Sequence, residues 1–233
     1  MTTIASNLQA VRDAMAAAAV SAGRAVNDIS LLAVSKTFPD GALRCAYQAG
    51  QIRFAESYVQ EALEKISALQ DLPIEWHFIG PIQSNKTRPI AENFAWVHSV
   101  DRVKIAERLS AQRPAHLSPL QLCLQVNISD ESSKSGVSPD EVSDLAHAVA
   151  RLPNLQLRGL MAIPAPSEDV TVQRTAFARV RELFDQLNRQ GLQLDTLSMG
   201  MSHDFAAAIK EGATMVRVGS AIFGNRIYSE GMV

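Results

Sequence analysis

Cysteine is scarce in this chain: Cys45 and Cys123 are the only two among 233 residues, and they form no C-x-x-C pair. That excludes a disulfide-stapled fold and a cysteine-ligated metal site, and it suits a reducing compartment with both thiols buried as small hydrophobes. No apolar run approaches the roughly 20 residues needed to cross a bilayer as a helix. No charge of either sign is in large excess, since 22 basic and 24 acidic residues give a formal net charge of −2. Nothing therefore steers the chain toward nucleic acid or anionic membranes. His98, His116, His147 and His203 have no metal-ligand spacing, and H-E-x-x-H, a G-x-S-x-G elbow and a P-loop are all missing. A metal enzyme or a nucleotide hydrolase is disfavoured. The alanine-rich start is interrupted by Arg12 and Asp13 and has no basic leader, which argues against a signal peptide and for a cytoplasmic location.

What is present is alternation. Ile4, Leu8, Val11, Met15 and Ala19 mark an opening amphipathic helix. Apolar runs then read as strands at Leu31–Lys36, Ile52–Glu56, Ile74–Ile79, Trp96–Val100, Leu120–Ile128, Leu155–Ile163, Leu194–Met199 and Met215–Val218. Each of the first seven is followed by a helical pattern. Start signals are expected at Asp40, at Ser57 with Gln60, at Asp101, at Ser138-Pro139 with Glu141, and at Ser202. The long helix after Pro166 is expected to bury Val170, Phe177, Val180, Phe184 and Leu187. Alternation without hairpin signals implies parallel strands with helical crossovers. Eight such units in this length fit a single closed (β/α)8 TIM-like barrel of the α/β class, with an additional N-terminal helix. An open doubly wound sheet is the alternative.

Within that scheme Leu31-Leu32-Ala33-Val34-Ser35-Lys36 is the organising stretch. A strand buried on both faces delivers Lys36 to the carboxyl end of the sheet, where ligands bind. An amine there can form a Schiff base with an aldehyde; the alternative is a lysine that snorkels into solvent. Gly200-Met201-Ser202 follows the seventh strand and Gly219-Ser220 the eighth. These are the usual phosphate-binding loops of such barrels, although each turn alone is also an ordinary Gly-Ser turn. Arg217 lies inside the eighth strand, where an unpartnered charge is costly. It could donate to a ring nitrogen or an anion at the mouth, or form a salt bridge to a neighbouring strand. His77, inside the third strand, reads first as a hydrogen-bonded core residue. Glu56 ends the second strand and either faces the site or complements the next helix dipole.

Several stretches taken together resemble one family. They are Leu32–Lys36, Trp76-His77-Phe78-Ile79-Gly80-Pro81-Ile82-Gln83-Ser84-Asn85-Lys86, Ser133-Lys134-Ser135-Gly136, Arg158-Gly159-Leu160-Met161 and Met215-Val216-Arg217-Val218-Gly219-Ser220. The chain is similar, from its first helix to about Gly224, to the pyridoxal phosphate homeostasis proteins, the YggS/PROSC family. The resemblance implies one barrel domain over residues 1–233, like the N-terminal domain of alanine racemase, holding pyridoxal 5′-phosphate (PLP) covalently on Lys36. It implies that Ser202, Gly219 and Ser220, with Gly200 and Met201 in the same turn, receive the phosphate. It implies that Arg217 faces the pyridine nitrogen and keeps it unprotonated. Ser57, His77 and the Gln83–Lys86 loop match motifs at the barrel mouth. The implied role is a non-catalytic, monomeric, cytoplasmic carrier that loads and releases PLP for apoenzymes needing it, with no nucleic-acid or membrane partner.

Three positions depart from the family pattern. Ala55 and Ser57 replace Gly and Asn in Phe-Gly-Glu-Asn, and His203 replaces Asp after Gly-Met-Ser. A shortened Ser57 is expected to lose a cofactor contact, and His203 to alter charge beside the phosphate. The competing expectations are a PLP-dependent amino-acid racemase and a barrel enzyme using Lys36 without PLP. Against a racemase, the sequence runs only to Val233, with no second domain to supply an opposing tyrosine, and Tyr228 is the tail's only one.

Overall fold

Leu31, Leu32, Ala33 and Val34 are all buried, as a strand covered on both faces requires. The computed structural model describes residues 3–129 and 135–224. In chain order the elements are α1 (Ile4–Ser21), β1 (Ser30–Val34), α2 (Asp40–Gln48), β2 (Arg53–Glu56), α3 (Val59–Ala68), β3 (Glu75–Phe78), α4 (Thr87–Asn93), β4 (Trp96–Val100), α5 (Val103–Gln112), β5 (Leu120–Val126), α6 (Val142–Ala150), β6 (Leu155–Ala162), α7 (Val170–Arg189), β7 (Thr196–Ser198), α8 (Phe205–Lys210), β8 (Met215–Val218) and α9 (Ser220–Phe223). Each strand pairs in parallel with the next, and β8 pairs back onto β1, so the sheet is a closed barrel rather than an open one. The β1–β8 register sets Leu32 against Arg217 and Ala33 against Val218.

Because strand residues alternate faces, the barrel has two cores. The outer one lies between strands and helices and includes Leu31, Ala33, Phe54, Phe78, Val97, Leu122, Leu160 and Val216. Inside the barrel are two smaller clusters, Leu32, Val34, Ala55 and Met215 on one side and Trp96, Cys123 and Met161 on the other. The apolar filling of the interior is therefore discontinuous, and polar side chains occupy the rest. The additional helix α1 packs alongside α2, α8 and α9, and Asn7 Nδ2 donates to the Ile222 carbonyl at 3.0 Å. It thus braces the seam where the first and last strands meet.

Several local expectations need correction. Thr3 caps α1 with a reciprocal Ser6 contact, but the expected caps elsewhere fail. The extended Pro39 precedes α2, which leaves Asp40 inside the first turn, where it complements the dipole without capping. Ser57 does not cap α3, because the chain runs on to Tyr58 before the helix begins. Asp101 accepts from its neighbour Arg102 instead of from α5. Ser138 does reach Glu141, at 2.6 Å, but that pair closes a turn and α6 starts only at Val142. Val170, in the first turn of α7, is exposed rather than inward, ahead of the point where that helix meets the core at Phe177. Cys45 is exposed on α2, one position off the buried Leu43 and Ala46 face, whereas Cys123 is buried as expected.

Candidate functional site

The register of β1 on β8 brings the chain leaving Val34 alongside Gly219 and Ser220. A Cβ on Gly219 would stand 3.0 Å from the Val34 carbonyl oxygen, so a bare backbone suits this seam. Lys36 is two residues beyond the end of β1 and half-buried. It leads into Thr37, whose φ of 70° is unusual for a β-branched residue. Thr37 is held there by tertiary contacts: its backbone N–H donates to Glu61 Oε1 at 2.6 Å. Its side-chain oxygen is buried with no hydrogen-bond partner. Such strain, about 1–3 kcal/mol, gathers where surroundings over-determine a functional loop.

The support behind this loop is a buried charge cluster. Lys65 Nζ, from α3, donates to the Ser35 carbonyl at 2.8 Å, to Glu56 Oε1 at 2.8 Å and to Glu61 Oε1 at 2.5 Å. Ser35 Oγ donates to the same Glu56 oxygen at 2.7 Å. Burial pushes the Glu56 carboxyl above the ordinary carboxylate range, against the opposing pull of Lys65 and Ser35. Because Ala55 faces inward, Glu56 faces outward, toward α3. Neither role expected of it holds: it is part of the wall that fixes residues 35–37.

The two late turns do meet. Ser220 Oγ lies 3.5 Å from Ser202 Oγ, joining the loops after β7 and β8 through their hydroxyls. Ser202 does not cap α8, which corrects the sequence expectation. Asp204 closes the turn instead, accepting from the Met201 backbone N–H at 2.6 Å, and the helix waits until Phe205. Ser202 Oγ is thereby left facing Ser220 rather than the helix. Gly200 is required in this turn: its φ is 92°, and a Cβ would fall 2.6 Å from Ala208 Cβ. Met201 is half-buried and His203 exposed on the same loop. Phe38, just after Lys36, packs on Phe223 with ring centroids 5.0 Å apart, so the lysine loop and the Ser220 helix form one rim.

Arg217 lies beneath that rim, only 3% exposed. Among the described residues it makes no strand-to-strand salt bridge. It donates to the Ser198 carbonyl at 2.5 Å, to Ser198 Oγ at 2.9 Å and to the Ala162 carbonyl at 2.9 Å. Burial lowers its pKa to about 10, so it is still a cation at neutral pH. His77 is the hydrogen-bonded core residue that its strand position suggests. Its Nδ1 is 2.9 Å from His98 Nε2, its Nε2 is 2.9 Å from Glu75 Oε1, and its ring stacks on Trp96. It sits lower in the barrel than the rim. Ser57 is half-buried just after β2, with its carbonyl against Gly80. Lys36, Gly200, Met201, Ser202, Arg217, Gly219 and Ser220 are thus brought to one mouth, and His77 is not. Ser133, Lys134 and Tyr228 lie outside the described residues.

Sequence reasoning missed Glu61, Lys65, Asp204, Ser198 and His98. Glu61 and Lys65 were legible as an i,i+4 pair, but nothing local showed that they turn inward. His98 lies at a buried position of β4, and Ser198 closes β7. Among the described residues no group of three or more His, Cys, Asp or Glu side chains is arranged to hold a metal ion, and no helix is long and apolar enough to cross a membrane.

The alanine racemase N-terminal domain profile matches residues 3–226. A pyridoxal phosphate homeostasis protein of Pseudomonas aeruginosa is 61% identical over 228 residues, covering 98% of both chains. The protein of the same name from Escherichia coli K12 is 53% identical over 233 residues, covering 99% of this chain and all of that one. Among solved structures, PipY of Synechococcus elongatus with PLP bound superposes with a TM-score of 0.83 at 37% identity, over 95% of this chain and all of that one. With a domain profile spanning nearly the whole barrel and relatives that match it from end to end, the chain belongs to the alanine racemase N-terminal domain family, among its pyridoxal phosphate homeostasis proteins.

Proposed function

We propose that this protein binds PLP at the rim formed by Lys36, Ser202 and Ser220 and serves as a non-catalytic carrier in PLP homeostasis. The observation that carries the reading is the convergence, at one end of the barrel, of a strand-end lysine, two facing hydroxyls and a buried arginine. Full-length relatives named for PLP homeostasis, and a similar structure with PLP bound, support it. The residues suit the group. Gly219 leaves backbone exposed at the β1–β8 seam, and Gly200 lets its loop turn sharply, so an anion can approach main-chain amides. Ser202 and Ser220 supply hydroxyl donors for a phosphate.

PLP would supply an aldehyde, which the Lys36 amine would hold covalently, and a phosphate dianion. Lys36 provides the covalent hold, and the Ser35–Thr37 backbone, fixed by Lys65 and Glu61, orients it. Gly200, Met201, Ser202, Gly219 and Ser220 hold the phosphate. Arg217 would face the ring nitrogen and, as a donor-only cation, would keep it unprotonated. A ring so held is a weak electron sink, which suits loading and release over turnover. Ser57 borders the mouth, with a shorter side chain than the family's usual asparagine. Residues 1–233 form one functional domain, working as a cytoplasmic monomer that yields PLP to apoenzymes.

The deciding experiment is a visible spectrum of the purified protein before and after borohydride, followed by peptide mapping. PLP fixed on Lys36, and a Lys36→Ala protein that stays colourless, is the expected result. Modification at Lys86 or another lysine instead would refute the assignment. Incubation of the loaded protein with single L-amino acids should give neither racemisation nor keto acid; turnover lost in Lys36→Ala would make it an enzyme.

A further inference from the structure

A chain of hydrogen bonds runs down the barrel interior from beneath the rim to the opposite mouth. Arg217 donates to Ser198 Oγ at 2.9 Å, and Ser198 Oγ is 2.8 Å from His98 Nδ1. His98 Nε2 is 2.9 Å from His77 Nδ1, and His77 Nε2 is 2.9 Å from Glu75 Oε1. Arg53 Nε donates to that same Glu75 oxygen at 3.0 Å, where the lower mouth opens. His77, His98, Ser198 and Arg217 are buried, and the inner apolar clusters leave them this path.

The carboxylate end, with both imidazoles neutral, fixes the direction of every bond. A guanidinium can only donate, and a carboxylate already receiving Arg53 can only accept. His77 Nε2 therefore carries a hydrogen and donates to Glu75, which leaves the Nδ1 of a neutral His77 to accept from His98 Nε2–H. A neutral His98 then accepts at Nδ1, so the Ser198 hydroxyl, whose oxygen receives Arg217, donates to it. Both imidazoles are neutral, in keeping with burial, which pushes both below the ordinary histidine pKa, and His98 well below. The Glu75 carboxyl is held below its ordinary range, first by the His77 hydrogen bond.

We propose that Ser198, His98 and His77 are positioning residues that orient Arg217 toward the cofactor and connect its charge, through bonds all polarised the same way, to Glu75 at the opposite mouth. A buried cation needs compensation, and among the described residues no carboxylate touches it. The nearest ionised partner along hydrogen bonds is Glu75, three neutral groups away. Cooperative polarisation of such a chain strengthens each bond. The other charged or titratable groups facing it are Arg53 beside Glu75, Cys123 and Asp204 near Arg217, and Arg158, whose guanidinium lies 5.0 Å over the Trp96 ring. The Cys123 thiol is pushed up to about 12 by burial and is neutral. The inference rests on the reading that Arg217 faces the ring nitrogen of PLP, but the tautomers do not.

The test separates the two. In cofactor-free protein, nitrogen-15 NMR of the histidines should show His77 and His98 as neutral Nε2–H tautomers, unchanged from about pH 5.5 to 8, a window that spans the free imidazole value. Either ring in the other tautomer, or titrating in that window, overturns the relay whether or not PLP binds. In loaded protein, Ser198→Ala and His98→Leu should each weaken PLP binding by about three- to tenfold, the worth of one buried hydrogen bond. They should also move the pH midpoint of the visible band. His98→Gln, which can accept from Ser198 and donate to His77 without titrating, should restore both. Glu75→Gln, remote from the rim, should lower that midpoint, since it removes the carboxylate that ends the hydrogen-bonded series. A merely structural role would leave the midpoint unmoved in folded Ser198→Ala and Glu75→Gln, and that result would sink the proposal. Failure of the wild-type protein to be trapped on Lys36 would instead refute the PLP reading.

Discussion

The two mouths of this barrel treat polar groups in opposite ways. At the lower mouth every long charged side chain of the strands is answered by another: Arg53 by Glu75, and Arg158 by both oxygens of Asp195. Arg158 also donates to Gln121 and lies over Trp96. At the upper mouth Lys36 stands among hydroxyls and glycine backbone, with Arg217 buried beneath them, and the contact between the two late loops is a 3.5 Å pair of serine oxygens. The charges that support this rim are set behind it, in the Glu56–Lys65–Glu61 cluster between wall and helix. A mouth whose charges saturate one another offers a ligand nothing to replace. A mouth of short donors on a braced frame offers a phosphate hydrogen bonds. That asymmetry agrees with the general division of β/α barrels into a stabilising and a functional end.

The contrast predicts a ranking of effects. The largest belongs to the support cluster. Lys65→Met leaves the fully buried Glu56 without its cation, and breaking a buried pair in this way costs about 3–5 kcal/mol. Burial already raises the Glu56 pKa, and losing Lys65 raises it further. A raised folded pKa means that stability is fully present below the unfolded value, about 4.3, and is lost as pH rises through the folded value. Urea midpoints should therefore show a larger penalty at pH 7.5 than at pH 5. A penalty equal at both would show that Glu56 is not the group left uncompensated.

Next come the rim hydroxyls. Ser202→Ala and Ser220→Ala should each weaken PLP binding by about 1–3 kcal/mol, the range for hydrogen bonds to a charged group, with little change in unfolding. Titration with pyridoxal, which has no phosphate, should show a much smaller loss. Equal losses for both ligands would take the serines out of the phosphate site. The smallest effect is at the lower mouth. Asp195 is 55% exposed in its side chain, so Asp195→Asn should cost no more than about 1 kcal/mol in stability and leave the PLP dissociation constant unchanged. A change in PLP affinity there would break the division between the ends.

Much of the fold was legible from periodicity, because a strand buried on both faces has to be apolar throughout, and β4 and β8 begin and end where the pattern says. Helix starts were less legible. Ser57, Asp101 and Ser202 are good capping residues by type, yet none caps: α3 begins only after Tyr58, Asp101 pairs with Arg102, and Ser202 turns to Ser220. A cap signal reports what a side chain could do locally, and tertiary contacts decided what it does.

Lys36 could be placed at the rim from sequence because its position follows from one uninterrupted strand. Ser202 and Ser220 could be placed there because loop order in a parallel barrel follows chain order. The sequence by itself thus determined the alternating architecture, the family and the residues at the rim. Only the tertiary structure decided how charge is handled around them. Glu56 faces outward because β2 puts Ala55 inward; Lys65 turns in to meet it; and Glu75, His77, His98, Ser198 and Arg217, from four different strands, line up inside the barrel. These pairings depend on the stagger between strands far apart in the chain, a quantity set by closure of the barrel and written in no local pattern of residues.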